Sequence, residues 1–181
     1  MKKLALIASL VSVLGSAGMA QAASTGTITF NGELTASTCD VIVDGQSADA
    51  TVVLPTVSIN QLNMITKTAG QTNFQMVLSN CSGSLKTASA FFEAGPTVDV
   101  QAGRLKNLSG TATNVSLQLL DGSSPTFAVI KAGDQSQTVN TTYKDISTGR
   151  TTLPYAVRYY AEGPTTAGTV SSKVVYSIQY Q

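Results

Sequence analysis

The sequence predicts an all-β domain, a sandwich or a barrel of roughly nine or ten short strands. Apolar and polar residues alternate over short stretches, and turn signals recur about every 8–12 residues. Threonine and serine are abundant, and charged residues make up only 12% of the chain, about half the share usual in globular domains. No long stretch after the first 22 residues has the composition and spacing of a helix.

The first 22 residues predict a secretory signal peptide. Lys2 and Lys3 form a basic start, residues 4–14 are apolar, and Ala-Gln-Ala at 20–22 is a small-residue cleavage site. The alternative, an N-terminal membrane anchor, is disfavoured because the apolar run is too short to span a bilayer comfortably. We therefore expect export and a single mature domain from residue 23 onward. Its charge is near neutral, so no basic footprint for nucleic acid is expected.

Each predicted strand follows from local alternation bounded by a turn. Residues 26–34 place apolar residues or glycine at even positions and polar residues at odd ones, and residues 174–181 alternate to the last residue. Pro55 separates two short strands because proline cannot donate to a β-ladder. Besides the N-terminal segment, strands or extended segments are predicted at 35–43, 51–54, 57–59, 71–80, 88–92, 114–120, 126–130, 139–143, 153–161 and 167–180.

The two cysteines, Cys39 and Cys81, predict one disulfide because an exported chain enters an oxidising compartment. Closing a loop of about 42 residues stabilises a fold by about 4 kcal/mol on the loop-entropy argument. The alternative is two buried free thiols. Histidine is absent, so serine–histidine and cysteine–histidine nucleophile pairs cannot form. With two cysteines and no histidine, zinc and haem sites also lack ligands, and we expect no metal and no cofactor.

Other candidate sites carry weaker signals. The acidic residues lie mostly in turns or at strand ends, so solvated loop charges are favoured over a glycosidase carboxylate pair. Three glycan acceptor sequons begin at Asn107, Asn114 and Asn140, and we assign them no function. Tyrosines at alternating strand positions suggest either a sugar-binding platform or packing in a core or interface, and the lack of tryptophan weakens the first. They are Tyr155, Tyr159, Tyr176 and Tyr180.

Four features together resemble the pilin subunits of chaperone–usher fimbriae, and most closely the major subunits of type 1 fimbriae. They are the signal peptide, the Gly26-x-Ile28-x-Phe30-x-Gly32 segment, the cysteine pair and the terminal Tyr180-Gln181. The resemblance implies an incomplete immunoglobulin-like β-sandwich that lacks its last strand. The missing strand would leave a hydrophobic groove, which a periplasmic chaperone fills first with a strand of its own. At an outer-membrane usher, the N-terminal arm of the next subunit then replaces the chaperone strand. Chaperone–pilin complementation is an established example of strand addition.

The resemblance assigns roles to both ends of the chain. Residues on one face of the N-terminal arm would be donor plugs in a neighbour's groove, although residues 24–34 are alternatively the first strand of their own domain. The C-terminal strand would line the groove and form the chaperone-binding edge, with the terminal carboxylate anchored by the chaperone. The donor residues are Gly26, Ile28, Phe30 and Gly32; the groove and chaperone-edge residues are Val174, Tyr176, Ile178, Tyr180 and Gln181.

The predicted function is a structural subunit of an extracellular fimbria that supports adhesion, polymerised head to tail by donor-strand exchange. The predicted organisation is a signal peptide (1–22), a donor-strand extension (23–34) and a pilin domain (35–181). Neither enzymatic activity nor a small-molecule substrate is expected. The alternatives are a secreted single-domain carbohydrate-binding module and a small periplasmic hydrolase, which the lack of histidine disfavours. The sequence leaves open whether the subunit is a major rod subunit or a minor adaptor.

Overall fold

The computed structural model describes residues 26–32, 34, 36 and 38–181. Residues Leu34–Gln181 form one compact unit. A 3-10 helix spans Ile59–Leu62 and a short helix α1 spans Gln137–Asn140. No helix in the described ranges is long and apolar enough to cross a membrane. The strands are β1 (Thr38–Val43), β2 (Thr68–Ser82), β3 (Thr87–Phe92), β4 (Val98–Asp99), β5 (Arg104–Lys106), β6 (Val115–Asp121), β7 (Ala128–Ile130), β8 (Lys144–Asp145), β9 (Thr151–Ala161) and β10 (Tyr176–Tyr180).

Two antiparallel sheets enclose one core. The larger sheet has the order β1-β2-β9-β6-β5-β4, with β7 also paired to β6, and the smaller sheet has the order β10-β3-β8. Alternate residues of both sheets face inward, as the period of two in the sequence requires. The larger sheet contributes Met76, Leu78, Leu117, Leu119, Leu153 and Val157 to the buried cluster, and the smaller sheet contributes Ala88, Ala90 and Phe92.

Tyr155 on β9 connects the two sheets. Its ring meets Phe92 of β3 edge to face, with centroids 5.2 Å apart and an interplanar angle of 87°, a favoured aromatic geometry. Its hydroxyl accepts a hydrogen bond from the Ala90 amide at 3.0 Å. Burial raises the pKa of this phenol, so the group stays a neutral hydrogen-bonding partner inside the sandwich.

The all-β prediction is confirmed, and the long strands β2, β6 and β9 lie where alternation placed them. The predicted strand at 139–143 is wrong, because this stretch overlaps helix α1, whose Gln137 side chain is bound to β3. Residues 51–54 and 57–58 are not part of a strand, and Ile59 begins the 3-10 helix. Within 167–180, only Tyr176–Tyr180 is assigned to a strand. The short strands β4, β5 and β8 have too few residues to show alternation.

The structure describes only part of the segment on which the N-terminal predictions fall. The signal peptide lies outside the described residues. Residues 26–32 are not assigned to a strand. The proposed boundaries at 1–22, 23–34 and 35–181 therefore stay predictions.

Candidate functional site

An apolar cleft of about 480 Å³ opens between two extended segments of the chain, residues 48–54 and 172–176. We call these segments and their extended continuations, to residue 57 on one side and back to residue 169 on the other, the first and second rim. Beneath them lie inward-facing residues of both sheets: Phe74, Met76, Phe92, Leu117 and Val157. The floor of the cleft is therefore the hydrophobic core itself.

The first rim has no strand partner among the residues that the structure describes. The backbone of residues 52–57 forms no hydrogen bond to any part of the described chain. Val52 and Leu54 nevertheless pack against the core, whereas Val53 between them is 80% exposed. This segment thus has the side-chain alternation of a strand and a row of unpaired backbone groups.

The second rim is bonded on one side only. Thr169 accepts from the Ala112 amide at 3.0 Å, and Val175 accepts from the Glu93 amide at 2.8 Å. The Ser171 amide donates to Asn107 Oδ1 at 2.8 Å. Successive residues of an extended chain direct their backbone groups to opposite sides. The intervening residues should therefore face the cleft, and within the described structure Val170, Ser172 and Val174 form no backbone hydrogen bond.

The two rims thus leave backbone donors and acceptors on both sides of an apolar cleft. Unpaired backbone groups are costly when buried, and a free sheet edge is a template for another strand. The Ser172 hydroxyl adds to the deficit, because its oxygen is buried and has no hydrogen-bond partner in the described chain. The geometry therefore fits the addition of one extended segment with apolar residues on its core-facing side.

The opposite edge of the smaller sheet is closed by side chains. Next to β8, the side-chain amide of Gln137 pairs with the backbone of β3 in the way that a neighbouring strand would. The Phe92 amide donates to Gln137 Oε1 at 2.9 Å, and Gln137 Nε2 donates to Phe92 O at 3.0 Å. Gln137 is only 2% exposed. One edge of this sheet is satisfied internally, and the edge along the cleft is not.

Two tyrosines of β10 reach back toward the start of the domain. The Tyr176 hydroxyl donates to Ala48 O at 2.8 Å. Burial raises the pKa of Tyr180, and a hydrogen bond with the Cys39 backbone partly opposes that shift. These contacts connect the C-terminal strand to the start of the first rim and to β1. The cleft lining extends to Tyr176 but does not include Ile178 or Tyr180.

The predicted C-terminal residues occupy two environments. Val174, Tyr176, Ile178 and Tyr180 all pack against the core, but only Val174 and Tyr176 also line the cleft. A terminal oxygen of Gln181 accepts hydrogen bonds from the Lys86 and Thr87 amides, each at 2.9 Å. The four tyrosines named in the sequence also pack in or against the core, which supports packing over a sugar-binding platform.

The predicted disulfide is confirmed. Cys39 on β1 and Cys81 on β2 are bonded, with their Cα atoms 4.1 Å apart. The predicted donor plugs are exposed: Ile28 is 78% and Phe30 is 87% exposed. Gly26 and Gly32 have open space where a Cβ would lie. The donor role of these four residues stays a prediction.

Sequence reasoning missed the first rim as a wall of the cleft. The alternation of Val52 and Leu54 was visible, but alternation does not show whether an extended segment has a partner. Ser172 was missed as well, because a serine in a strand pattern carries no signal until its surroundings are known.

The fold and the cleft define a class: an immunoglobulin-like β-sandwich with one strand position unfilled. Residues 54–181 match the family described as FimA, Type-1 fimbrial protein, A. The chain belongs to this family of fimbrial subunits.

Individual relatives agree with the family assignment. The chain is 39% identical over 171 residues to the major fimbrial subunit SMF-1 of Stenotrophomonas maltophilia, covering 93% of this chain and 99% of that protein. It is 37% identical over 161 residues to the F17 fimbrial protein of Escherichia coli, covering 86% and 87% of the two chains. The crystal structure of the P pilus rod subunit PapA shows the same fold, with a TM-score of 0.55 at 20% identity over 79% of this chain and 99% of that one.

Proposed function

We propose that this chain is a structural subunit of a surface fimbria that polymerises by donor-strand exchange. The arm of one copy, with Gly26, Ile28, Phe30 and Gly32 facing inward, fills the cleft of the next copy. The observation that supports this is the pair of unpaired backbone rims on either side of an apolar cleft. Within the described residues, no hydrogen bond is formed by the backbone of residues 52–57 in the first rim or of Val170, Ser172 and Val174 in the second.

The arm can supply the apolar side chains and the backbone hydrogen-bond partners that would fill the cleft. In an extended chain, residues 26–32 span about 20 Å, and the alternation places apolar side chains on a single face. Burying Ile28 and Phe30 would contribute roughly 1.5–3 kcal/mol each. Backbone hydrogen bonds to the two rims would fix the register of the arm. Because the arm and the cleft belong to different surfaces of the same chain, the contact is heterologous and forms an open fibre.

The same incompleteness calls for temporary partners. Before assembly, an unfilled cleft exposes core residues and free edges, which favour aggregation. We propose that a periplasmic chaperone supplies a strand to this cleft and that an outer-membrane usher exchanges it for the arm. In this scheme the carboxylate of Gln181 and the edge of β10 meet the chaperone. Secretion through the periplasm and adhesion at the cell surface complete the proposal.

The donor role of the arm is tested by Phe30→Arg in the full chain, expressed in cells that assemble its fibres. A charged side chain cannot be buried in the cleft without a partner, so we expect loss of SDS-resistant subunit ladders. Thr29→Arg is the matched control, because its side chain points away from the cleft, and it should assemble normally. Unchanged ladders from Phe30→Arg would reject Phe30 as a plug.

A further inference from the structure

The direction of the inserted arm follows from the sheets. The two rims run in opposite directions, because Tyr176 of the second rim is bonded to Ala48 at the start of the first, and Thr165, before the second rim, is bonded to Leu62, beyond the end of the first. An arm between them is therefore antiparallel to one rim and parallel to the other. The second rim leads into the paired strand β10, and all pairings between the described strands are antiparallel, so we take the arm as antiparallel to the second rim and β10.

An arm antiparallel to β10 places its Gly26 end near Tyr180 and its Gly32 end near Val170. The body of the donating copy then follows at the Val170 end of the cleft.

An exposed apolar surface lies at that end of the body. The first rim continues into the 3-10 helix, and the second rim is preceded by Thr165, whose amide donates to Leu62 O at 3.2 Å. Between these points Ile59 is 44%, Met64 is 55% and Ile65 is 61% exposed. We call these three residues the apolar cap.

The apolar cap is held in place by its neighbours. Leu62 is 4% exposed, and the Thr66 amide donates to Ala161 O at 2.9 Å. These bonds fix both ends of a loop that presents three large apolar side chains within seven residues. Clustered exposed apolar residues of this kind often mark a contact surface.

The short connection between arm and body limits where the donating copy lies. Residues 33–37 are five residues long and span at most about 18 Å. The body begins at Thr38, which pairs with Ser82 on β2. The adjoining loop presents Ser82, Gly83 and Ser84 as exposed residues. This small-residue loop of the donating copy therefore lies within reach of the apolar cap of the receiving copy.

We propose that the apolar cap packs against the body of the neighbouring copy whose arm fills the cleft, at the end that carries its 82–84 loop. The proposal rests on the donor-strand function above, since the inserted arm brings the two bodies together. It adds a second contact between consecutive subunits, separate from the cleft.

Cysteine cross-linking in assembled fibres tests this contact. Ile65→Cys and Ser84→Cys are combined in one chain, fibres are isolated from cells, and a short bismaleimide is added. The matched control combines Val129→Cys with Ser84→Cys. Val129 is 47% exposed and pairs with Leu120, which is level with Ala156 on β9. It is therefore distant from the apolar cap, which adjoins Thr66 and its bond to Ala161 at the end of β9. The fibres are then dissociated and the covalent dimers are quantified. We expect the rate of dimer formation to be at least tenfold higher for the Ile65 pair than for the control pair.

Equal rates for the two pairs, or a faster control, would overturn the proposal. Fibre formation is scored before the cross-linker is added, so a chain that forms no fibres at all counts against the donor-strand function instead. If Ile65→Cys does not fold, Met64→Cys takes its place with the same expected ratio over the control.

Discussion

At the scale of single residues, the domain shows two ways of treating an exposed sheet edge. On one edge of β3, buried side chains satisfy the backbone, most directly through Gln137. On the edge of the second rim, the Ser172 hydroxyl and the neighbouring backbone groups have no such partner in the described chain. The contrast matters because buried polar groups are normally paired. An edge left unsatisfied over an apolar floor is an edge available to another chain.

Gln137→Ala should lower the stability of the domain, because Gln137 pairs with the backbone of β3 at the edge away from β10. The substitution leaves the Phe92 amide without its acceptor, while Phe92 O keeps the bond from the Gly133 amide at 2.8 Å. A buried donor left unpaired costs about 1–3 kcal/mol. Urea unfolding should show that loss in the free energy of unfolding. Gln135→Ala, at an exposed position of the preceding turn, is the control and should change little; similar values for the two variants would contradict the role given to Gln137.

At the scale of secondary-structure elements, the sequence predicts what alternates and misses what depends on a partner. β2, β6 and β9 were predictable because long strands repeat the period of two many times. The helix at Gln137–Asn140 was not, because four residues are held there by a buried amide contact to β3. The first rim was predicted as strand from the same period of two, yet the strand that would pair with it is absent from the described chain. Alternation reports a buried face and contains no information about the neighbour in the sheet.

Two adjacent valines of the first rim face opposite ways, one into the cleft and the other toward the outer surface. Val52 packs on the core and lines the cleft, whereas Val53 is 80% exposed. Val52→Asp should prevent an arm from seating, because the carboxylate would face an apolar floor. Val53→Asp should be neutral.

A labelled peptide of residues 23–34 provides the measurement for this pair. Its binding to each subunit variant, released from its chaperone, is followed by fluorescence anisotropy. We expect at least tenfold weaker binding for Val52→Asp and unchanged binding for Val53→Asp. Equal binding by both variants would mean that the arm does not occupy this cleft.

At the scale of the whole molecule, stability should depend little on pH around neutrality. The chain has no histidine, so no side chain with an ordinary pKa titrates between about pH 5 and 8. Three aspartates have a pKa held below its usual value by hydrogen bonds from the turn that follows each of them. They are Asp99 (from the Ala102 and Gln101 amides), Asp134 (from Ser136) and Asp145 (from Ser147).

The sign of the acid effect follows from these lowered pKa values. A carboxyl with a lower pKa in the folded state stabilises the fold above its unfolded pKa and loses that contribution as pH falls through the folded value. Thermal unfolding should therefore give a nearly constant Tm from pH 5.5 to 7.5 and a decline below about pH 4. A marked Tm change within the neutral range would contradict this expectation, since it would require another group to titrate there.

Fusing the arm to the C-terminus of the same chain tests directly whether the domain lacks one strand. Because an antiparallel donor places its first residue near the end of β10, residues 23–34 can be appended after Gln181 through a short Asn-Gly turn, which favours a two-residue hairpin. The appended segment would fill the cleft from within the same chain. The fused chain should be a monomer with a higher midpoint of urea unfolding than the unfused subunit, and it should no longer accept an arm peptide. The same fusion carrying Phe30→Arg in the appended copy is the control, and it should lose the added stability. Equal midpoints for the fused chain and this control would show that the cleft does not receive the arm, because the two differ only in the side chain that must be buried.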